Sequence, residues 1–155
     1  MIGARVGARP IHPLLVVVPL GLCIVSVIAD LFRLTGLGGP AWFDVASYGI
    51  AGGVLGALIA ALRGFIDYVS IRDARIRDIA FAHFVTALFV VAIYGLSLWM
   101  RWSGDQGLLP VAVSGVGLVL LCLVGWLGGE MVHVDGVGLT DEQVAAAGAA
   151  RRKVA

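Results

Sequence analysis

Four long apolar runs, separated by short connections, set the pattern of the chain: about Pro13 to Phe32, Val45 to Ile66, Ile79 to Met100 and Leu108 to Leu127. A bilayer core of about 30 Å is crossed by roughly 20 apolar residues of helix, and each run reaches that length. None alternates polar and apolar positions with period two, and each is too long and too continuously apolar for a barrel strand. The pattern therefore predicts helices, and the short connections make consecutive spans antiparallel neighbours. The predicted fold is all-α: a polytopic, up-down-up-down bundle of four transmembrane helices over residues 1–139, followed by a short cytoplasmic C-terminal helix over 140–155. In that tail Thr140 and Gln143 fit a capping box, Asp141 and Glu142 fill the first turn, and Arg151, Arg152 and Lys153 stand at the end. This is the order that the helix dipole favours. Arg5 and Arg9 precede the first run as in a signal peptide, but the run exceeds a signal h-region and lacks a small-x-small cleavage site, so it is read as a span.

Composition makes this a membrane protein rather than one with a large buried core. Of 155 residues 60% are hydrophobic and 14% charged, and the mean hydropathy is +1.00. A soluble domain of about 150 residues buries roughly 70% of its extended-chain surface and keeps the rest polar; the polar residues here are too few for that, which excludes a soluble enzyme. A net charge of +1 leaves no basic excess for nucleic acid. The charges are unevenly shared between the two ends of the spans. One end carries Arg5, Arg9, Arg72, Arg75, Arg77, Arg151, Arg152 and Lys153, the other only Arg33 and Arg101, with Arg63 inside the second span. Eight against two is a strong positive-inside bias and predicts N- and C-termini in the cytoplasm. Trp42, Trp99 and Trp102 then fall near the outer interface and Trp126 near the inner one.

Small residues indicate how the helices pack, because lipid supplies no hydrophobic drive and close backbone approach must supply the attraction. Gly49 with Gly53, Gly52 with Gly56, and Ala60 with Gly64 repeat a small-xxx-small spacing along the second span, and Gly125 with Gly129 repeat it in the fourth. Packing within one chain is the expected use. A homo-oligomer built on such faces and a monomer within a larger complex are equal alternatives. Pro19 cannot donate to the carbonyl of Leu15 and should bend the first span there.

The same path gathers titratable groups on the cytoplasmic side. His12 stands at the start of the first span, Asp67 at the end of the second and His83 about one turn into the third, while Glu130 and His133 follow the fourth. Ionisable residues at membrane depth are functional candidates, and bundles build cofactor sites from facing helices. His12 and His83, on separate helices, are the pair that could ligate haem b. Asp67, Glu130 and His133, with His83, satisfy the ligand types for zinc or a similar metal, though no His-x3-His spacing supports it. Each has a structural alternative: a helix cap for His12, an i, i+4 pair with Arg63 for Asp67, a bond to a carbonyl such as Leu15 for His83, a solvated loop for Glu130 and His133. Cys23 and Cys122 are expected as buried apolar thiols. Asp30 and Arg33 are expected to pair at i, i+3 or reach water, and carry no function. Thr86, Tyr94, Ser97 and Ser114 are the polar groups offered at mid-span by the second to fourth helices, too few for a solute path through one chain.

The segments "IHPLLVVVPLGL", "GALIAALRGFIDY" and "GWLGGEMVHVDGVGL", with His83 between the last two, resemble the bacterial domain-of-unknown-function 2231 family over about Pro10 to Leu139. The resemblance implies a four-helix protein of the bacterial cytoplasmic membrane. Some family members are fused to Rieske iron–sulfur domains, which implies an electron-transfer setting. The family's His-Pro corresponds to His12 and Pro13, its Gly-x-x-Asp to Gly64 and Asp67, its third-helix histidine to His83, and its Gly-Gly-x-x-Val to Gly128, Gly129 and Val132. Val17 stands where many members carry a second histidine, and Asp135 where a Tyr-x-His-Gly places another. The expectation is a non-catalytic accessory or anchoring subunit beside a redox or respiratory membrane partner; the alternative is an electron carrier holding haem b or a metal through His12 and His83.

Overall fold

In lipid, main-chain N–H and C=O groups have no water to turn to, so each spanning segment closes its hydrogen bonds within itself. The computed structural model of the chain describes residues 5, 6, 9–37 and 39–133. Within them lie four helices: α1 Ile11–Leu34, α2 Ala41–Val69, α3 Ala74–Trp102 and α4 Leu108–His133. All four are long and apolar enough to cross a membrane. A minimal antiparallel pairing, β1 Arg5–Val6 with β2 Arg9–Pro10, precedes α1.

The helices outrun the apolar runs because hydropathy fades at the interface before helical bonding stops. Asp73 is the clearest case: its Oδ1 accepts from the main-chain N–H of Ile76 at 3.2 Å and starts α3 five residues before the apolar run. His83 therefore stands more than two turns into α3 rather than about one. Likewise α4 continues through His133, so Glu130 and His133 belong to its last turns and not to a following loop. The helix expected over 140–155, and Asp135, lie outside the described residues.

Two antiparallel hairpins, α1–α2 and α3–α4, make up the bundle; α2 packs on α3 and the α1–α4 contact is slight. Glycines on α2 set the first hairpin. A Cβ on Gly53 would stand 2.6 Å from Cys23 Sγ, one on Gly49 3.2 Å from the Leu22 carbonyl oxygen, and one on Gly56 3.2 Å from Pro19 Cβ. The spacing therefore serves packing within the chain, against the Pro19–Ser26 face of α1. Gly125 and Gly129 meet nothing within 4 Å. Cys23, Ile50, Val90, Tyr94, Leu98 and Val124 form the core cluster, with the Tyr94 ring against Gly117, where a Cβ would fall 2.8 Å from it. Cys122, expected as buried, is exposed on the outside of α4. Trp99, Trp102 and Trp126 are exposed as interfacial anchors would be. Gly36 and Gly39 between α1 and α2, and Gly104 between α3 and α4, hold φ of 74°, 77° and 98°, which side chains with a Cβ rarely adopt.

Candidate functional site

Two polar groups, one at each end of the bundle, are the candidates. At the end bearing most arginines, helix register brings the expected residues to similar heights. Phe65 and Tyr68 of α2 lie against Phe84 and Phe81 of α3, with ring centroids 5.8 and 6.3 Å apart. That antiparallel register sets Asp67 within about one residue, or about 1.5 Å, of His83 in height. On α4, a Cβ at Gly128 would stand 3.2 Å from His83 Cε1, and Glu130 is two residues, about 3 Å, further along.

Equal height does not make these groups converge. The Asp67 carboxylate is turned along its own helix, where Oδ1 accepts from Arg63 Nη2 at 2.8 Å. His83 is part-buried and its Nδ1 lies 3.1 Å from the carbonyl oxygen of Val124, not that of Leu15. A carbonyl only accepts, so Nδ1 carries the proton in this contact, and in the neutral ring Nε2 holds the lone pair. Glu130 is part-buried in α4. His12 lies in the first turn of α1 and His133 at the last position of α4, and the side chains of both fall outside the described residues. Among the described residues no three His, Cys, Asp or Glu side chains gather as they would around a metal ion.

The opposite end holds a network that the sequence reading set aside. Asp30 does not pair with Arg33. It meets Arg101 of α3 in a two-pronged ion pair, Nη1 to Oδ1 at 2.9 Å and Nη2 to Oδ2 at 2.6 Å, and both side chains are 0% exposed. Arg101 Nε donates to Ser97 Oγ at 3.3 Å, Ser97 donates to the Pro110 carbonyl at 2.8 Å, and Ser114 Oγ lies 2.8 Å from Ser97 Oγ. A hydroxyl has one donor and two acceptor positions. With the donor given to Pro110 and one acceptor position to Arg101, Ser114 must be the donor to Ser97. Pro110 sits in the first turn of α4, where its missing N–H breaks no helical bond. The guanidinium of Arg101 also lies 5.8 Å from the centre of the Phe43 ring, and that of Arg33 lies 5.5 Å from it. Arg33 donates to the carbonyls of Gln106 and Gly107 at 2.7 and 3.3 Å. One network thus joins the ends of α1 and α3 to the start of α4, with Phe43 of α2 against it.

Arg101, Ser97 and Ser114 were missed as a site because each is unremarkable alone. The available signal was an acid near the end of α1 and a base near the same end of the parallel span α3. Tyr94 is a further unforeseen feature: the side chain is fully buried, and its hydroxyl has no hydrogen-bond partner among the described residues.

A family model described as a predicted membrane protein, DUF2231, matches residues 8–141. No curated protein and no solved structure matches the chain.

Proposed function

The chain belongs to that family of predicted membrane proteins, and from this premise we propose that it is a non-catalytic accessory or anchoring subunit of a bacterial cytoplasmic-membrane assembly concerned with electron transfer. The observation that carries the reading is the Asp30–Arg101 pair. Both charges are spent on each other in the interior, and Arg101 Nε goes to Ser97, which is in turn bonded to Pro110 and Ser114 of α4. Such an arrangement makes a rigid brace, since separating either partner would leave a bare charge away from water. The link to electron transfer rests on the resemblance to relatives fused to Rieske domains. The cytoplasmic placement of both termini rests on the eight-to-two division of basic residues.

The test is to purify the tagged full chain in mild detergent from its own membranes. Co-purification of a redox complex, and poorer assembly of that complex when the gene is deleted, are the expected results. A chain that runs alone, with every respiratory complex intact after deletion, would sink the accessory role.

One observation favours a second reading, haem b held by His12 and His83. A ligand histidine commonly donates one ring N–H to a carbonyl, and the Val124 carbonyl oxygen lies 3.1 Å from His83 Nδ1, where it can take that bond. The group, when bound, would supply one-electron transfer. An absorbance spectrum of the same sample, oxidised and dithionite-reduced, with metal analysis, decides it. A Soret band that shifts on reduction and disappears in His83→Ala supports this reading, and a colourless, metal-free sample rejects it.

A further inference from the structure

At the end of the bundle away from most of the arginines, the α1–α2 and α3–α4 connections border an open cleft of about 270 Å³, lined by Arg33, Gly36, Gly39, Pro40, Phe43 and Gln106. Its lining carries a single charge. Three charged side chains meet around Phe43: Arg33 and Arg101 lie against the ring, and Asp30 neutralises Arg101. Arg33 is the one charged residue of the lining, and Asp30 is already committed to Arg101. Among the described residues the ion pairs are Arg63–Asp67 and Arg101–Asp30, so no carboxylate lies within 4 Å of Arg33. Two acids flank the lining without pairing with Arg33: Asp105, next to Gln106, accepts from the main-chain N–H of Gly107 at 2.8 Å, and Asp44, next to Phe43, is exposed in the first turn of α2.

Arg33 is also held in place. Two carbonyls and the face of Phe43 fix its guanidinium, yet these use only two of its five N–H groups. Nε is buried without a partner among the described residues, and one N–H on each terminal nitrogen remains beyond the two bonds to carbonyls. A fixed fork without a carboxylate partner suits a planar or tetrahedral oxyanion. The surroundings narrow the choice. The cleft stands where helices end, at the height of lipid headgroups, and exposed Leu34, Leu37, Leu108 and Leu109 lie on the elements around it. A free anion has no use for this apolar rim, whereas the acyl chains of a lipid do.

We propose that this cleft binds the headgroup phosphate of an anionic phospholipid, with Arg33 as the phosphate ligand and the neighbouring leucines against the acyl chains.

The test uses the detergent-purified full chain and follows its thermal unfolding midpoint against three probes: short-chain phosphatidylglycerol, the matching diacylglycerol without phosphate, and inorganic phosphate. The expected result is a saturable rise with phosphatidylglycerol and none with the other two. Arg33→Gln should raise the lipid concentration for half the effect about tenfold or more, the loss of one charge-assisted contact. Gln106→Glu sets a negative charge on the lining and leaves the main-chain carbonyl for Arg33; it should weaken the response similarly, and it serves if Arg33→Gln does not fold. An equal rise with diacylglycerol would show acyl-chain binding alone. An equal rise with inorganic phosphate would show a free-anion site. An undiminished lipid response in the folded variants would show binding elsewhere. Any of these three overturns the proposal.

Discussion

Asp30→Asn is the most informative single change in this molecule. It keeps the shape of the side chain and removes the charge that faces Arg101, whose own side chain is 0% exposed. Were the pair at an ordinary surface, its loss would cost about 0–1 kcal/mol. Here the remaining guanidinium would sit in the interior with only Ser97 Oγ at 3.3 Å and the Phe43 ring for company, so the cost expected is that of an unpaired buried charge, about 3–5 kcal/mol. At about 2–4 °C per kcal/mol for a chain of this size, the unfolding midpoint should fall by about 6–20 °C. Arg101→Gln should behave alike, because it strands the carboxylate. The double variant Asp30→Asn with Arg101→Gln strands neither charge and should lose much less than the sum of the two, which is the signature of a direct pair. The assay is loss of monodisperse protein on size exclusion after stepwise heating in one detergent. Single variants within about 2 °C of the parent, or a double variant as poor as the sum, would refute the reasoning.

Two further outcomes are expected. Gly53→Ala drives a methyl group to 2.6 Å from Cys23 Sγ and should cost about 1–3 kcal/mol in the same assay, whereas Gly125→Ala, with nothing within 4 Å, should stay within about 0.5 kcal/mol of the parent; equal effects would mean that the α1–α2 contact is wrongly drawn. With Cys23→Ala and Cys122→Ala as background, Ser103→Cys should react with a membrane-impermeant maleimide in intact cells and Ser70→Cys only after permeabilisation, and the reverse pattern would place the termini outside.

The sequence and the structure agree where the information is one-dimensional. Length and apolarity define four spans, and the spacing of Gly49, Gly53 and Gly56 already marks the α2 stripe that meets Pro19, Cys23 and Ser26 of α1. Helix ends were less visible, because a cap such as Asp73 acts through one hydrogen bond that hydropathy does not register. The main loss is direction around the helix axis. A sequence gives the height of a residue along its span to within about a turn, but which neighbour it faces depends on how all four helices are arranged.

This single limitation explains both ends of the bundle. Asp67, His83 and Glu130 do share a height, as their positions suggest, but Asp67 turns to Arg63 and His83 to the Val124 carbonyl, so equal height is spent on separate bonds. Asp30 and Arg101 also share a height, and there the directions do converge, because α1 and α3 run parallel across a narrow bundle that small residues on α2 allow to close. Choosing Arg33 as the partner of Asp30 weighted nearness in sequence over the greater Coulomb gain of a pair removed from water. Once Asp30 is committed to Arg101, Arg33 has no acid to face, and its charge turns to the main-chain carbonyls of the α3–α4 connection. The unpaired guanidinium of the cleft is thus a consequence of the brace: the pairing that locks the helices together also leaves Arg33, the one charged residue of that lining, without a carboxylate.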